Sequence, residues 1–123
     1  MKKTILITGC SSGIGYCVAK GLHARGYRVF ATARRRDSVE MLLAEGLESF
    51  HLNLTDSNSI NFAFEEVMRR TDGELYALFN NGAYGLPGAV EDLSRDALRE
   101  QFETNVFGWQ ELTNLVVPVM RRQ

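Results

Sequence analysis

The segment Thr4-Ile5-Leu6-Ile7-Thr8-Gly9-Cys10-Ser11-Ser12-Gly13-Ile14-Gly15 leaves few folds open to this chain. Its apolar, β-branched start is patterned as a strand buried on both faces, and it stops at a glycine. Past the turn, Ile14, Val18 and Leu22 recur at four-residue intervals with Cys17 and Gly21 beside them. That spacing predicts an amphipathic helix from Ile14 to Arg25, ended near Gly26. Tyr27 to Ala33 is apolar again and predicts a second strand. A helix of this length between two buried strands is the crossover that parallel pairing requires.

The alternation continues. Asp37 or Ser38 can cap a short helix bearing Val39, Leu42 and Leu43, with Gly46 as its stop. Phe50, Leu52 and Leu54 share one side of a third strand. Asp56-Ser57 caps a helix carrying Ile60, Phe64, Val67 and Met68, and Leu75 to Phe79 is a fourth, short strand. Asn80-Asn81-Gly82-Ala83-Tyr84-Gly85 and Pro87-Gly88 then form a polar loop. A helix is predicted over Asp92 to Glu100, and a longer one from Val106 to the last residues, where Pro118 could kink it or end it early. The predicted fold is an α/β domain: an open parallel sheet with helices on both faces, and ligands at the edge where the Gly9, Ala33 and Asn80 turns collect.

Composition bounds the function. The 123 residues suffice for one domain and not for two of ordinary size. Fourteen Lys plus Arg against 15 Asp plus Glu give a net charge of -1, which argues against nucleic acid or an anionic membrane as partner. No stretch has the 18 or more apolar residues of a membrane span, and the N-terminus lacks a signal-peptide pattern, so a cytoplasmic protein is expected. Two cysteines and two histidines, without metal-ligand spacing, predict no metal site. Neither His23 nor His51 is expected to act as a base, His51 because it is placed away from the ligand edge. Cys10 lies in the glycine turn, where backbone amides could lower its pKa, so a thiol nucleophile is a minor alternative.

The sharpest chemical signal is the GxxxGxG spacing of Gly9, Gly13 and Gly15 between strand and helix. Small residues there let backbone N–H groups approach a pyrophosphate, so the motif suits a dinucleotide, whereas no Gly-Lys-Ser/Thr follows to make a triphosphate loop. The second strand ends Ala33-Arg34-Arg35-Arg36, with no carboxylate where the hydroxyls of an unphosphorylated ribose would be read. Arg34 offers planar donors for a phosphate, which favours NADP over NAD, although a solvated basic turn has the same appearance. Asn80 and Asn81 can tie the fourth strand's end to neighbouring backbone or to a ligand, or serve the turn alone. Asn105 is favoured as a cap of the last helix, with a place beside an active site as the other reading. Tyr84 is either a ligand contact or an ordinary half-buried aromatic.

Together, Thr8-Gly9-Cys10-Ser11-Ser12-Gly13-Ile14-Gly15, Ala33-Arg34, Asn80-Asn81-Gly82-Ala83 and Asn105-Val106-Phe107-Gly108 resemble the N-terminal portion of the short-chain dehydrogenases/reductases, over nearly the whole chain. The resemblance implies a Rossmann-type, three-layer α/β/α fold that stops after the fourth strand and the following helices. It implies NADP bound by Gly9, Ser11, Ser12, Gly13, Ile14 and Gly15, with Arg34 at the 2′-phosphate. Asn53 would lie near adenine, its oxygen able to accept from the adenine amino group, and Asn81 near the cofactor ribose, with Leu54, Gly82 and Ala83 also among the cofactor-binding residues. Asn105 would belong to the catalytic group, holding a proton-relay water. The family's serine and Tyr-x-x-x-Lys are missing: no Tyr follows Tyr84 and no Lys follows Lys20. Residues 1–123 are therefore expected to be the cofactor-binding portion of an NADP-dependent oxidoreductase interconverting a carbonyl compound, ketone or aldehyde, and an alcohol, inactive alone, with the last helix as a surface for homo-oligomers. The alternative is a non-catalytic dinucleotide-binding or sensor protein completed by a partner chain.

Overall fold

The computed structural model describes residues 2–123. Four parallel strands, β1 (Thr4–Ile7), β2 (Arg28–Ala33), β3 (Glu48–His51) and β4 (Ala77–Phe79), lie in the order β3-β2-β1-β4. The connections are α1 (Gly13–Ala24), α2 (Arg36–Ala44) and α3 (Ser57–Thr71). After β4 come a short 3₁₀ turn at Val90–Asp92, then α4 (Arg95–Phe102), a π-helical segment at Glu103–Gly108, and α5 (Trp109–Arg122). No helix among the described residues is long and apolar enough to cross a membrane.

Alternation along the strands sorts the core into two layers, because successive side chains point to opposite faces. Leu6, Phe30 and Phe50 pack with Ile60, Ala63 and Val67 of α3 and with Leu112 and Val116 of α5. Ile5, Ile7, Val29, Ala31 and Ala33 face the other way, onto Ala19 of α1 and Leu42 of α2. Helices therefore cover both faces, and β1, buried at every residue, is a central strand. Parallel pairing puts the carboxyl ends of all four strands at one edge.

Several boundaries depart from the sequence-based expectation. The ladder of β3 stops at His51, so Leu54 reaches the core from the turn that follows. Leu75 and Tyr76 precede the β4 ladder, although the Tyr76 amide still donates to the Thr4 carbonyl at 3.0 Å. Neither Asp37 nor Ser38 caps α2: the cap position is Arg35, and Asp37 sits in the first turn, accepting from the Ser38 amide and the Arg35 guanidinium. The Asp56 cap does form, accepting from the amides of Asn58 and Ser59. The helix predicted from Asp92 starts later, because Ser94 accepts from the Ala97 amide and so begins α4 at Arg95. Pro118 lies inside α5, which runs on to Arg122.

Asn105 does not cap the last helix. The chain stays helical from α4 through Glu103–Gly108 into α5, so no free helix start exists there to be capped. The π segment ends at buried Gly108, where an added Cβ would meet the carbonyl oxygen of Leu54 and, at 2.7 Å, its Cβ. This contact seats the start of α5 on the turn after β3. Gly108→Ala should cost about 1–3 kcal/mol, the usual range for overpacking a core. Gly21→Ala, where a Cβ meets nothing within 4 Å in the middle of α1, should be stabilising by about 0.5–1 kcal/mol. Urea unfolding midpoints followed by circular dichroism check both.

Candidate functional site

At the carboxyl edge the loops enclose an open cleft of about 670 Å³. One wall comes from the first turn and the end of β2, with Thr8, Gly9, Ser11, Ala33 and Arg34. A second comes from Leu52 to Thr55, and a third from Gly82, Ala83 and Tyr84 after β4. Glu100, Glu103 and Thr104 close the far side. Of the residues singled out from sequence, Gly9, Ser11, Arg34, Asn53, Leu54, Gly82 and Ala83 line this cleft. Ser12, Gly13 and Ile14 are exposed at the start of α1, while buried Gly15 and half-buried Asn81 and Asn105 do not line the cleft.

The three motif glycines are needed for three different reasons. Gly9 has φ +69° and crosses Gly82 so closely that a Cβ would stand 2.6 Å from the Gly82 Cα. Gly13 has φ +62° with open space around it, so conformation alone demands glycine there. At Gly15 a side chain would strike the Gly9 carbonyl and the Asn81 amide, so its role is to clear the turn itself. Ser12 precedes α1 in extended conformation with no side-chain hydrogen bond to the helix. The first amides of α1 are thus left without a side-chain partner, and Ile14 beside them is 70% exposed. These features fit an anionic ligand that takes up the amides and covers the isoleucine.

Behind the walls, the buried Thr8 Oγ1 accepts from the amides of Asn81 at 3.0 Å and Gly82 at 2.8 Å. Asn81 Nδ2 returns two donations, to the carbonyls of Thr8 and Gly9 at 3.2 and 3.1 Å. Asn80 turns the other way and donates to Thr113 Oγ1. Trp109 Nε1 donates to the Gly82 carbonyl at 2.6 Å. Asn105 accepts from the Tyr84 amide at 3.1 Å and donates to the Tyr84 carbonyl at 2.8 Å. The Asn80-Asn81 pair and Asn105 therefore hold the loop after β4 in place, and Tyr84, 40% exposed, lines the cleft.

The three consecutive arginines separate clearly. Arg35 pairs with Asp37 at 2.9 Å and Arg36 with Glu40 at 3.2 Å. Arg34 has no ion pair among the described residues and lines the cleft. Asn53 differs from expectation: its Oδ1 accepts from both the amide and the hydroxyl of Thr55, at 3.0 and 2.8 Å. These two contacts hold the Asn53 side chain against the turn after β3. The cleft residues Leu52, Thr55, Glu100, Glu103 and Thr104 escaped the sequence reading. Only the Thr55 position carried a local signal, as a partner two residues past an asparagine.

Two smaller expectations are corrected. Cys10 is fully buried and donates to the Ile7 carbonyl, and burial pushes its thiol up to about 12, opposite to the lowering expected from the glycine turn. It is not an activated nucleophile. His51 pairs in register with Ala33 and so stands at the carboxyl edge, yet it is exposed and does not line the cleft.

The short chain dehydrogenase family model matches residues 3–123, so the chain belongs to the short-chain dehydrogenases and carries their nucleotide-binding α/β/α fold. It is 39% identical over 120 residues to the uncharacterized oxidoreductase YbbO of Escherichia coli strain K12, covering 98% of this chain and 45% of that protein. It is 34% identical over 108 residues to the NADPH-dependent 1-acyldihydroxyacetone phosphate reductase of Schizosaccharomyces pombe, covering 87% of this chain and 36% of that one. A crystal structure of a short-chain dehydrogenase from Streptomyces avermitilis superposes with a TM-score of 0.91 at 35% identity, over 99% of this chain and 46% of the other. The chain thus spans less than half the length of these relatives.

The thiol assignment predicts that iodoacetamide at pH 8 modifies exposed Cys17 in the native protein and reaches Cys10 only on unfolding. Peptide mass mapping with and without urea checks this, and native labelling of Cys10 would contradict it.

Proposed function

We propose that the cleft binds NADP(H) and that residues 1–123 form the cofactor-binding portion of an oxidoreductase interconverting a carbonyl compound and an alcohol. When bound, such a cofactor supplies or accepts the hydride. The observation that carries the choice of cofactor is the separation of the arginines: Arg35 and Arg36 have carboxylates of their own, and Arg34 alone stands in the cleft with its donors uncommitted. A guanidinium there suits a 2′-phosphate, and the one acidic residue nearby in sequence, Asp37, is tied to Arg35. The NADPH dependence named for the fission-yeast relative supports the same reading.

The remaining residues have parts that follow from their positions. The amides at the start of α1, reached through Ser11, Ser12, Gly13 and Ile14, receive the pyrophosphate, and Gly9 and Gly15 keep the turn low enough for its approach. Leu54, Gly82 and Ala83 give apolar surface along the cleft. Asn81 braces the first turn from behind. Asn105 fixes Tyr84 by two hydrogen bonds and keeps one N–H and one oxygen lone pair for further partners, such as a water that relays protons.

Arg34→Ala should weaken NADPH binding about 10- to 100-fold, the worth of a charge-assisted hydrogen bond or two, and leave NADH binding unchanged. Arg35→Ala and Arg36→Ala should each change NADPH affinity by less than about threefold. Isothermal titration of NADPH and NADH against the three variants measures this. Equal affinity of the wild type for both dinucleotides would remove Arg34 as selector.

A further inference from the structure

We propose that the ring of Tyr84 packs against the purine of the bound dinucleotide and forms the aromatic wall of its base site. The proposal rests on reading the cleft as a dinucleotide site. Tyr84 lines the cleft together with Arg34, assigned to the 2′-phosphate, and with the wall from Leu52 to Thr55. Ser12, Gly13 and Ile14, at the pyrophosphate end, do not line it. The ring therefore faces the adenosine half of the ligand, where Leu54 and Ala83 add apolar surface.

The four tyrosines of the chain differ in what their rings touch. Tyr16 and Tyr27 pack against the core on the α1 face, and the Tyr76 ring has Lys3 Nζ over it at 4.5 Å from its centroid. Tyr84 belongs to neither core cluster, and its hydroxyl has no hydrogen-bond partner among the described residues. Its main chain, in contrast, is fully committed. The amide donates to Asn105 Oδ1 at 3.1 Å, and the carbonyl accepts from Asn105 Nδ2 at 2.8 Å and from Gln101 Nε2 at 3.5 Å. With the backbone held at both polar groups, only two side-chain torsions are left to settle on binding, so ordering the ring costs little entropy. Covering an exposed aromatic face with another planar ring removes apolar surface from water on both. A base stacked in this way is held by its face, whatever pattern of donors and acceptors its edge carries.

Isothermal titration tests this with NADPH and with adenosine 2′,5′-bisphosphate, which carries the base and the 2′-phosphate but no nicotinamide. Tyr84→Ala should weaken both ligands by a similar factor of about 5- to 150-fold, the worth of one base stacked on an aromatic side chain. Tyr84→Phe keeps the ring and should bind both within about threefold of the wild type. The adenine ring protons of the bisphosphate should move upfield in NMR spectra on binding to the wild type and to Tyr84→Phe, and this ring-current shift should be lost with Tyr84→Ala. A merely structural role for the ring would not move that signal. A loss confined to NADPH would put the ring at the nicotinamide half and overturn the proposal. So would a change below about threefold for both ligands in Tyr84→Ala, or a Tyr84→Phe variant as weak as Tyr84→Ala. Failure of the wild type to bind either ligand would instead overturn the cofactor reading on which the proposal stands. Circular dichroism of both variants verifies that the fold persists.

Discussion

One buried hydroxyl organises the ligand edge. Thr8 Oγ1 takes the amides of two consecutive residues after β4, and Asn81 answers by donating to the carbonyls of Thr8 and Gly9. These are four hydrogen bonds between segments more than 70 residues apart in sequence, one of them buried and three partly buried. They draw Gly9 against Gly82 until no side chain fits between them. The glycine turn lies flat, the start of α1 faces outward, and the loop after β4 becomes a wall instead of a flexible connection.

A second constraint anchors the opposite wall. Leu54 is wedged between Gly82 and Gly108, since a Cβ at either glycine would run into it. The turn after β3, the loop after β4 and the start of α5 therefore meet at one leucine. Trp109 and Asn105, next along the helix, donate to and accept from the backbone of residues 82 and 84. The π-helical segment makes this geometry available. One extra residue in the turn rotates the helix face, so that residues 105, 108 and 109 can all address the same loop.

The periodic part of this architecture was legible in the sequence, because burial on two faces of a parallel sheet writes itself as apolar runs and amphipathic spacing. Leu6 and Phe30 against Ile5, Ile7 and Val29 is such a record. The glycine motif was equally legible, since positive φ and close approach have no substitute. What escaped depends on contacts distant in sequence. Asn105 precedes an apolar stretch as a helix cap would, and only the uninterrupted helix with its hydrogen bonds to Tyr84 shows otherwise. Cys10 sits among glycines whose amides could have lowered its pKa, but it turns into the core beneath β2 and is desolvated instead. Asn53 was singled out in the sequence and lines the cleft. That its oxygen is held by Thr55, two residues on, shows only in the folded turn.

The distribution of charge carries the same lesson about locality. A net charge of -1 describes a molecule with almost no long-range field, yet the cleft holds an uncommitted arginine on one wall and two carboxylates, Glu100 and Glu103, on another. All three are exposed, so their interaction with an anion at a distance is weakened by water and by salt. Two unit charges 4 Å apart in water are worth about 1 kcal/mol, and a hydrogen bond involving a charged group about 1.5–3 kcal/mol. The long-range effect of one cation and two carboxylates is therefore small beside a direct charged hydrogen bond, and contact outweighs attraction at a distance. In this cleft the uncommitted donors are the amides at the start of α1 and the Arg34 guanidinium. The structure leaves these donors unpartnered while satisfying their neighbours.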